Sequence, residues 1–174
     1  MGAVIPELLN HYNIYNDKAK KLVGISGEVE LGELEALTDT IEGAGVLGEI
    51  EDAVTGQFAS IKIKIPFAVL YEDMFTLMDT TNPTQLTLRS SMQCMDPTTG
   101  ATGYYPVKIV VRGKATNTSL GKVVKGKKGE PAIELELLYI KIQINNKTTL
   151  ELDKLNFKFV LNGKDMLAKI RSQV

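Results

Sequence analysis

The stretch IELELLYIKIQINN, residues 133–146, decides the fold class. Apolar and polar residues alternate strictly in its first half and again in residues 140–144. Strict alternation predicts a β-strand with one buried face, because successive side chains point to opposite sides of a sheet. The two halves are one residue out of phase, with Leu138 and Tyr139 at the junction. We therefore predict a β-bulge there, because one extra residue brings the apolar side chains back to the same face.

The same two-residue period recurs along most of the chain, and turn residues separate the alternating segments. Alternation is found in residues 61–65, 86–89, 107–112, 150–152 and 155–159. The stretch DPTTG at 96–100 and the pair Asn145-Asn146 are typical of hairpin turns. Residues 11–17 and 20–31 predict a weaker pair of strands. These patterns favour a mainly β fold, an antiparallel β-sandwich or half-barrel.

One amphipathic helix is predicted beside the sheet. Pro66 ends an alternating strand and suits the first turn of a helix. Apolar residues then follow at helical spacing, namely Phe67, Leu70, Met74, Leu77 and Met78. A second short helix is predicted over residues 165–171. Because strands do not alternate with helices, the pattern argues against a doubly wound parallel sheet.

Composition limits the chemistry that the chain can perform. Its 174 residues suit a single domain, residues 1–174. The 20 basic and 21 acidic residues nearly cancel, so no basic excess indicates a nucleic-acid-binding protein. One cysteine, Cys94, and one histidine, His11, are too few for a disulfide or an ordinary zinc cluster. A Cys94–His11 dyad stays open, although the two-residue period places Cys94 in the core.

The sequence also predicts a soluble chain made in a cytoplasm, without stable membrane anchoring. The first residues, MGAVIPELL, lack the basic segment of a signal peptide. Apolar runs stay well short of the roughly 20 residues that span a bilayer.

Two stretches lack periodicity. Residues 32–56 are rich in glycine and acidic residues, and residues 117–130 form a basic, glycine-containing loop. Loops of this length in a compact domain are usually functional or disordered. We therefore expect an extended loop at 32–56 and a basic loop at 117–130.

The first of these loops carries Gly43, Gly45 and Gly48 in the spacing of a dinucleotide fingerprint. That fingerprint needs a buried strand before it and a helix after it, and neither is predicted. The second loop nearly spells a phosphate-binding loop, but Lys128 replaces the required hydroxyl residue. We expect no cofactor, no metal and no catalytic residues, so a structural or interaction protein is favoured over an enzyme.

The order of segments resembles the major tail tube proteins of contractile-tailed bacteriophages and of headless phage-tail-like bacteriocins. The resemblance spans most of the chain. It rests on EGAG at 42–45, SIKIKIPF at 60–67, VKIVVRGK at 107–114, IELELLYIKIQINNK at 133–147 and LELDKLNFKFVLNGKD at 150–165.

The resemblance implies an assembly. Six subunits would close into a continuous β-barrel ring, with one helix flanking each subunit's sheet. Stacked rings would form a hollow tube inside a contractile sheath, which penetrates a cell envelope and conducts DNA or ions. The implied partners are further copies of the chain, the tail sheath protein, baseplate and tail terminator proteins, and DNA passing without sequence-specific binding. The implied location is a virion tail or bacteriocin particle assembled in the bacterial cytoplasm.

The resemblance also assigns roles to individual residues. Gly43, Gly45 and Gly48 would belong to an inter-subunit loop, where glycine lets backbones approach closely. Glu134 and Glu136 are candidates to face the lumen, because a DNA conduit benefits from a wall that repels phosphate. Residues 62–64 offer lysines that would do the reverse. Two alternatives stay open: the tube of a related contractile secretion system, and a monomeric β-barrel that binds a small apolar ligand.

Overall fold

The computed structural model describes residues 3–174, and strands dominate that part of the chain. The strands are β1 (Ile5–Asn16), β2 (Ala36–Ile41), β3 (Ile50–Phe58), β4 (Lys62–Pro66), β5 (Thr84–Met95), β6 (Thr102–Ser119), β7 (Ala132–Ile144), β8 (Lys147–Asp153), β9 (Lys158–Leu161) and β10 (Lys164–Asp165). The helices are α1 (Glu72–Thr76) and α2 (Ala168–Arg171). The prediction of a mainly β fold is confirmed.

The main sheet is antiparallel and follows the order β1-β5-β6-β7-β8-β9-β10. β4 also pairs with β7, along residues 132–136, whereas β8 pairs with residues 139–144. The sheet therefore forks along one edge of β7. Its strand order has two ends, so the described part of one copy does not close into a barrel.

The predicted bulge lies in the middle of β7. Arg112 is opposite Tyr139 and Gly113 is opposite Leu137, so the register skips Leu138. Leu137 before the bulge and Ile140 after it are consequently both buried. The bulge prediction is confirmed. The change of phase in the alternating sequence occurs at the extra residue of the bulge.

The core lies on one face of the main sheet. The alternating aliphatic residues of β4 and β7 are fully buried there, together with residues of β5, β6 and α1. Its largest fully buried side chains include Ile63, Ile65, Phe67, Met74, Leu86, Val111 and Leu135. Cys94 is also buried, as predicted. The opposite face of the same strands is polar, which is the arrangement that the alternation requires.

The helix after β4 is much shorter than predicted. Phe67 bridges to Ile25, and the Ala68 N–H donates to the Gly24 carbonyl at 2.8 Å. These bonds hold the backbone extended past Pro66, so α1 begins only at Glu72. Tertiary hydrogen bonds therefore outweigh the helical spacing of the apolar residues.

Two further predictions about strands are confirmed only in part. The backbone of residues 11–17 pairs with 20–31 only at the bridge of Tyr15 to Lys21, because residues further along bridge elsewhere, Ile25 to Phe67 and Glu30 to Lys64. The long partner of β1 is β5. Residues 154–157 form a turn rather than a strand, with Phe157 at a φ of 51°. The turn at Asn145 and Asn146 is confirmed, and both residues have positive φ.

Candidate functional site

Residues 32–56, called the arm below, are not the irregular loop that the sequence predicts. β2 and β3 pair as a separate antiparallel two-stranded sheet, and the tip of the hairpin is formed by residues 42–49. The sequence gives little sign of this hairpin because acidic and threonine residues interrupt its apolar alternation. The acidic loop of the prediction is therefore an ordered arm.

Almost every side chain of the arm is exposed. In the register of the hairpin, Ile41 lies opposite Ile50 and Asp39 lies opposite Asp52. Because these pairs are two residues apart, they share one face of the hairpin. That face combines an exposed apolar pair with two carboxylates, and we call it the Asp39–Asp52 face.

Gly43, Gly45 and Gly48 lie together at the tip, with φ values of 127°, 97° and 106°. These angles explain why the positions are glycine, because L side chains rarely adopt them. A Cβ at any of the three would meet no atom within 4 Å. β3 follows the glycines where a dinucleotide site would need a helix. The three glycines of the tip therefore adopt backbone conformations that other residues disfavour, and they have no close neighbours within one copy.

The root of the arm is fixed to the body of the subunit. Phe58 packs edge-to-face on Phe159 with 5.1 Å between ring centroids, and the Ala59 N–H donates to the Glu35 carbonyl at 2.8 Å. Gly56 lies against Leu167, because a Cβ there would be 2.7 Å from a methyl group. The exposed hairpin therefore extends from an anchored base.

The basic loop begins later than predicted, because β6 continues through Ser119. Its backbone is tied down where Lys122 N–H donates to the Gly129 carbonyl at 2.8 Å and Gly129 N–H donates to Ala68 at 2.9 Å. Its exposed lysines are Lys122, Lys125, Lys127 and Lys128. β7 follows the loop, so no helix is present to complete a phosphate-binding loop.

Charge is divided unequally between the arm and the rest of the chain. The arm contains seven acidic residues and no lysine or arginine. Because the whole chain carries a net charge of −1, the remainder carries +6. The near-neutral total therefore hides an acidic arm on a basic body.

Glu134 and Glu136 lie on the polar face of the sheet, opposite Lys64 and Lys62 respectively. The glutamates, expected to repel phosphate, and the lysines, expected to attract it, therefore lie directly opposite each other on one face of the sheet. Glu136 also accepts hydrogen bonds from the Ser60 hydroxyl and, at 3.3 Å, from the Ile61 N–H. Glu134 is the less engaged of the two carboxylates.

A second polar cluster on β6, β7 and β8 was not foreseen. The Arg112 guanidinium lies 5.2 Å from the centre of the Tyr139 ring and 3.6 Å from the Asp153 carboxylate. The Tyr139 hydroxyl donates to Glu151 at 3.0 Å, and Lys158 lies 3.1 Å from the same carboxylate. Burial and the Glu151 carboxylate raise the pKa of Tyr139 to about 12. Each charge has a partner, so the cluster stabilises the sheet.

His11 and Cys94 do not form the dyad that the sequence left open. His11 is exposed opposite Ser91, whereas Cys94 is buried opposite Pro6. Among residues 3–174, no three histidine, cysteine or acidic side chains are grouped to hold a metal ion. No helix in the same range is long and apolar enough to cross a membrane.

The chain combines an antiparallel sheet that has open ends with a hairpin arm, which is a mainly β architecture. It is not the α/β architecture of a nucleotide-binding enzyme. The family model for phage tail tube protein FII matches residues 6–174. The chain therefore belongs to the phage tail tube protein family and is a structural subunit of a phage tail tube. A comparison with curated proteins finds no match.

Proposed function

We propose that six copies of this chain close into a ring, and that the rings stack into the hollow inner tube of a contractile phage tail or a headless tail-like bacteriocin. Family membership supports the role as a tube subunit. The structural observation that supports closure into a ring is the open strand order of the main sheet, which ends at β1 and β10. Joining open edges between subunits removes the aggregation hazard of exposed strands and makes one continuous barrel.

The arm supplies the second contact of this proposal. Its glycine tip has open space around every Cβ position, and its strands bury little within one copy. We assign Gly43, Gly45 and Gly48 to close packing against a neighbouring subunit or the adjacent ring. The sheath would cover the outside of the tube, and baseplate and terminator proteins would cover its two ends.

The polar face that carries Glu134 and Glu136 is our candidate for the lumen wall. Lys62 and Lys64 would enter the lumen with them, each opposite a glutamate. Local pairing of opposite charges lowers the attraction of the lysines for phosphate, so DNA could pass without being held. In a particle without a genome the same wall would conduct ions.

Negative-stain microscopy of the purified protein, combined with light scattering over a concentration series, tests the assembly. We expect rings or hollow tubes with six-fold end views. A different symmetry would reject the hexamer, and a species that stays monomeric with baseplate components present would reject the tube.

The lumen assignment has its own test. A gold label on Glu134→Cys should give density inside the tube in end views, whereas a label on Lys169→Cys in α2 serves as the comparison position. The buried Cys94 is shielded from the reagent. Density from position 134 on the outer wall would reject the assignment.

A further inference from the structure

An apolar groove edged by lysines lies beside the basic loop. It has a volume of about 260 Å³, and its lining includes Val69, Leu70, Leu120 and Val123 together with Lys122 and Lys127. Val123 is 98% exposed and Leu120 is 56% exposed. A cluster of exposed apolar side chains with a polar rim is typical of a protein contact surface. We call it the lysine groove.

The Asp39–Asp52 face of the arm has the complementary chemistry. Ile41 and Ile50 are 47% and 52% exposed and form its apolar part. Asp39 and Asp52 are directly opposite each other, an arrangement in which like charges destabilise a strand pair. The ion pairs of residues 3–174 include neither aspartate. A cation placed between the two carboxylates would remove this repulsion.

We infer that the arm of one copy docks in the lysine groove of a second copy. Ile41 and Ile50 cover the apolar lining, and Lys122 and Lys127 pair with Asp39 and Asp52. The occupant is another copy because the opposite charges are divided within this one sequence, seven acidic residues on the arm and an excess of basic residues elsewhere. Both surfaces remain exposed in a single copy, so a subunit does not cover its own groove.

The contact is heterologous, because the arm and the groove are different surfaces. Each copy offers one of each, so the same contact repeats from copy to copy and builds a ring or a stack. The inference rests on the proposed tube function, and it specifies which two surfaces meet.

Charge reversal tests the docking. The groove variant Lys122→Glu/Lys127→Glu and the arm variant Asp39→Lys/Asp52→Lys each place like charges in the contact. Each variant alone should need a protein concentration about tenfold higher, or more, to assemble, because opposed like charges weaken association. An equimolar mixture should recover assembly, because the acidic arm of the groove variant then meets the lysine groove of the arm variant, and the basic arm meets the acidic groove.

Matched controls carry the same changes of charge outside the contact. Lys125→Glu/Lys128→Glu alters the same loop at positions that do not line the groove. Glu33→Lys/Glu35→Lys alters exposed residues at the root of the arm, outside both the tip and the Asp39–Asp52 face. Both controls should assemble at wild-type concentrations. Circular dichroism verifies that each variant is folded, as expected for exposed positions.

Carbodiimide cross-linking of mixed heavy-isotope and ordinary wild-type protein tests the same contact without relying on tubes. Inter-copy links from Asp39 or Asp52 to Lys122 or Lys127 are expected. If such links form but tubes never do, the docking stands and the tube function fails. If tubes form while both reversed variants assemble normally, or while their mixture stays dissociated, the docking is overturned and the tube function stands. If neither tubes nor links form, both the docking and the tube function are overturned.

Discussion

Two buried carboxylates hold irregular segments of the chain in place through hydrogen bonds. Asp73 of α1 is 3% exposed and accepts hydrogen bonds from the Val23 N–H at 3.1 Å and the Lys20 ammonium at 3.0 Å. These bonds lower the pKa of Asp73. Burial alone would raise the pKa of Asp153, but hydrogen bonds from Asn156 and its neighbours lower it. Both side chains therefore stabilise the fold in their charged form.

Asp73→Asn should lower the free energy of unfolding by about 1–3 kcal/mol at pH 7, because a neutral amide replaces the buried carboxylate that accepts from the Val23 N–H and the Lys20 ammonium. The folded pKa of Asp73 is depressed, so its contribution is complete above the unfolded pKa of about 3.9 and is lost as the pH falls through the folded pKa. Urea unfolding from pH 7 to pH 3 should show the gap between wild type and variant narrowing. Glu28→Gln, at an exposed position, is the control. A gap that stays constant on acidification would contradict the assignment.

Gly113 lies beside the bulge of β7, at a position with no space for a Cβ atom. A Cβ there would lie 2.4 Å from the Glu136 carbonyl oxygen, which is backbone and cannot move aside cheaply. Gly113→Ala should therefore destabilise the fold by about 2 kcal/mol or more. Gly103→Ala in the same strand meets no atom within 4 Å and should change stability by less than about 0.5 kcal/mol. Thermal unfolding measures both, and equal effects would refute the steric explanation.

At the scale of elements, the sequence was informative wherever one face of a strand is buried in the core. The isoleucines of β4 and the two phases of β7 dictate their facing, so those strands and the bulge could be predicted. The helix, the partner of β1 and the arm could not. Phe67 bonds to a segment about forty residues earlier, and β1 pairs with residues about 70 to 90 positions later. The apolar and polar pattern of a segment does not indicate which distant segment it pairs with.

The candidate site was predictable to a similar degree. The sequence locates Gly43, Gly45 and Gly48 in one glycine-rich stretch, and it shows which side of β7 carries Glu134. It does not show that β4 brings Lys64 opposite Glu134, because that depends on register. The lysine groove was also missed, because Val69 and Val123 are brought together only by the folded chain.

The tip of the arm should be dispensable for folding and necessary for assembly. Ile41 and Ile50 are directly paired, so an Asn-Gly turn can replace residues 42–49 without changing the register. The tip contributes no residue to the core cluster, so the melting temperature of the monomer should stay within a few degrees of wild type. Light scattering and microscopy should show that rings and tubes are lost.

A second shortened hairpin is the control for that variant. Met95 and Thr102 are also directly paired, so Asn-Gly can replace residues 96–101. This variant should fold and assemble, which separates the role of the arm from a general effect of shortening a hairpin. Tubes of normal appearance from the variant without the tip would show that the arm is not an assembly contact.

At the scale of the whole molecule, stability and contact surfaces are separated. β6 and β7 lie in the middle of the main sheet, with hydrogen-bonded neighbours on both sides. β1 and β10 end the sheet, and within residues 3–174 the outer edge of β1 is bridged only near Tyr15. The arm is a third surface with little burial. Central strands therefore hold the subunit together, while its edges and arm remain available to other copies.

This separation predicts the pattern of amide hydrogen exchange. In the monomer, amides of β6 and β7 should exchange slowly, and those of residues 5–13 and of the arm should exchange quickly, because exposed hydrogen bonds open at low free-energy cost. Assembly should slow exchange selectively at residues 5–13, at β10 and in the arm, because each gains a partner from another copy. Mass spectrometry of dilute monomer and of sedimented tubes measures both states. If residues 5–13 and β10 exchange equally fast in the tube, the sheet edges do not join subunits, and closure must use another surface. Protection of the arm alone would reduce the assembly to a single heterologous contact, which builds a stack without a continuous barrel.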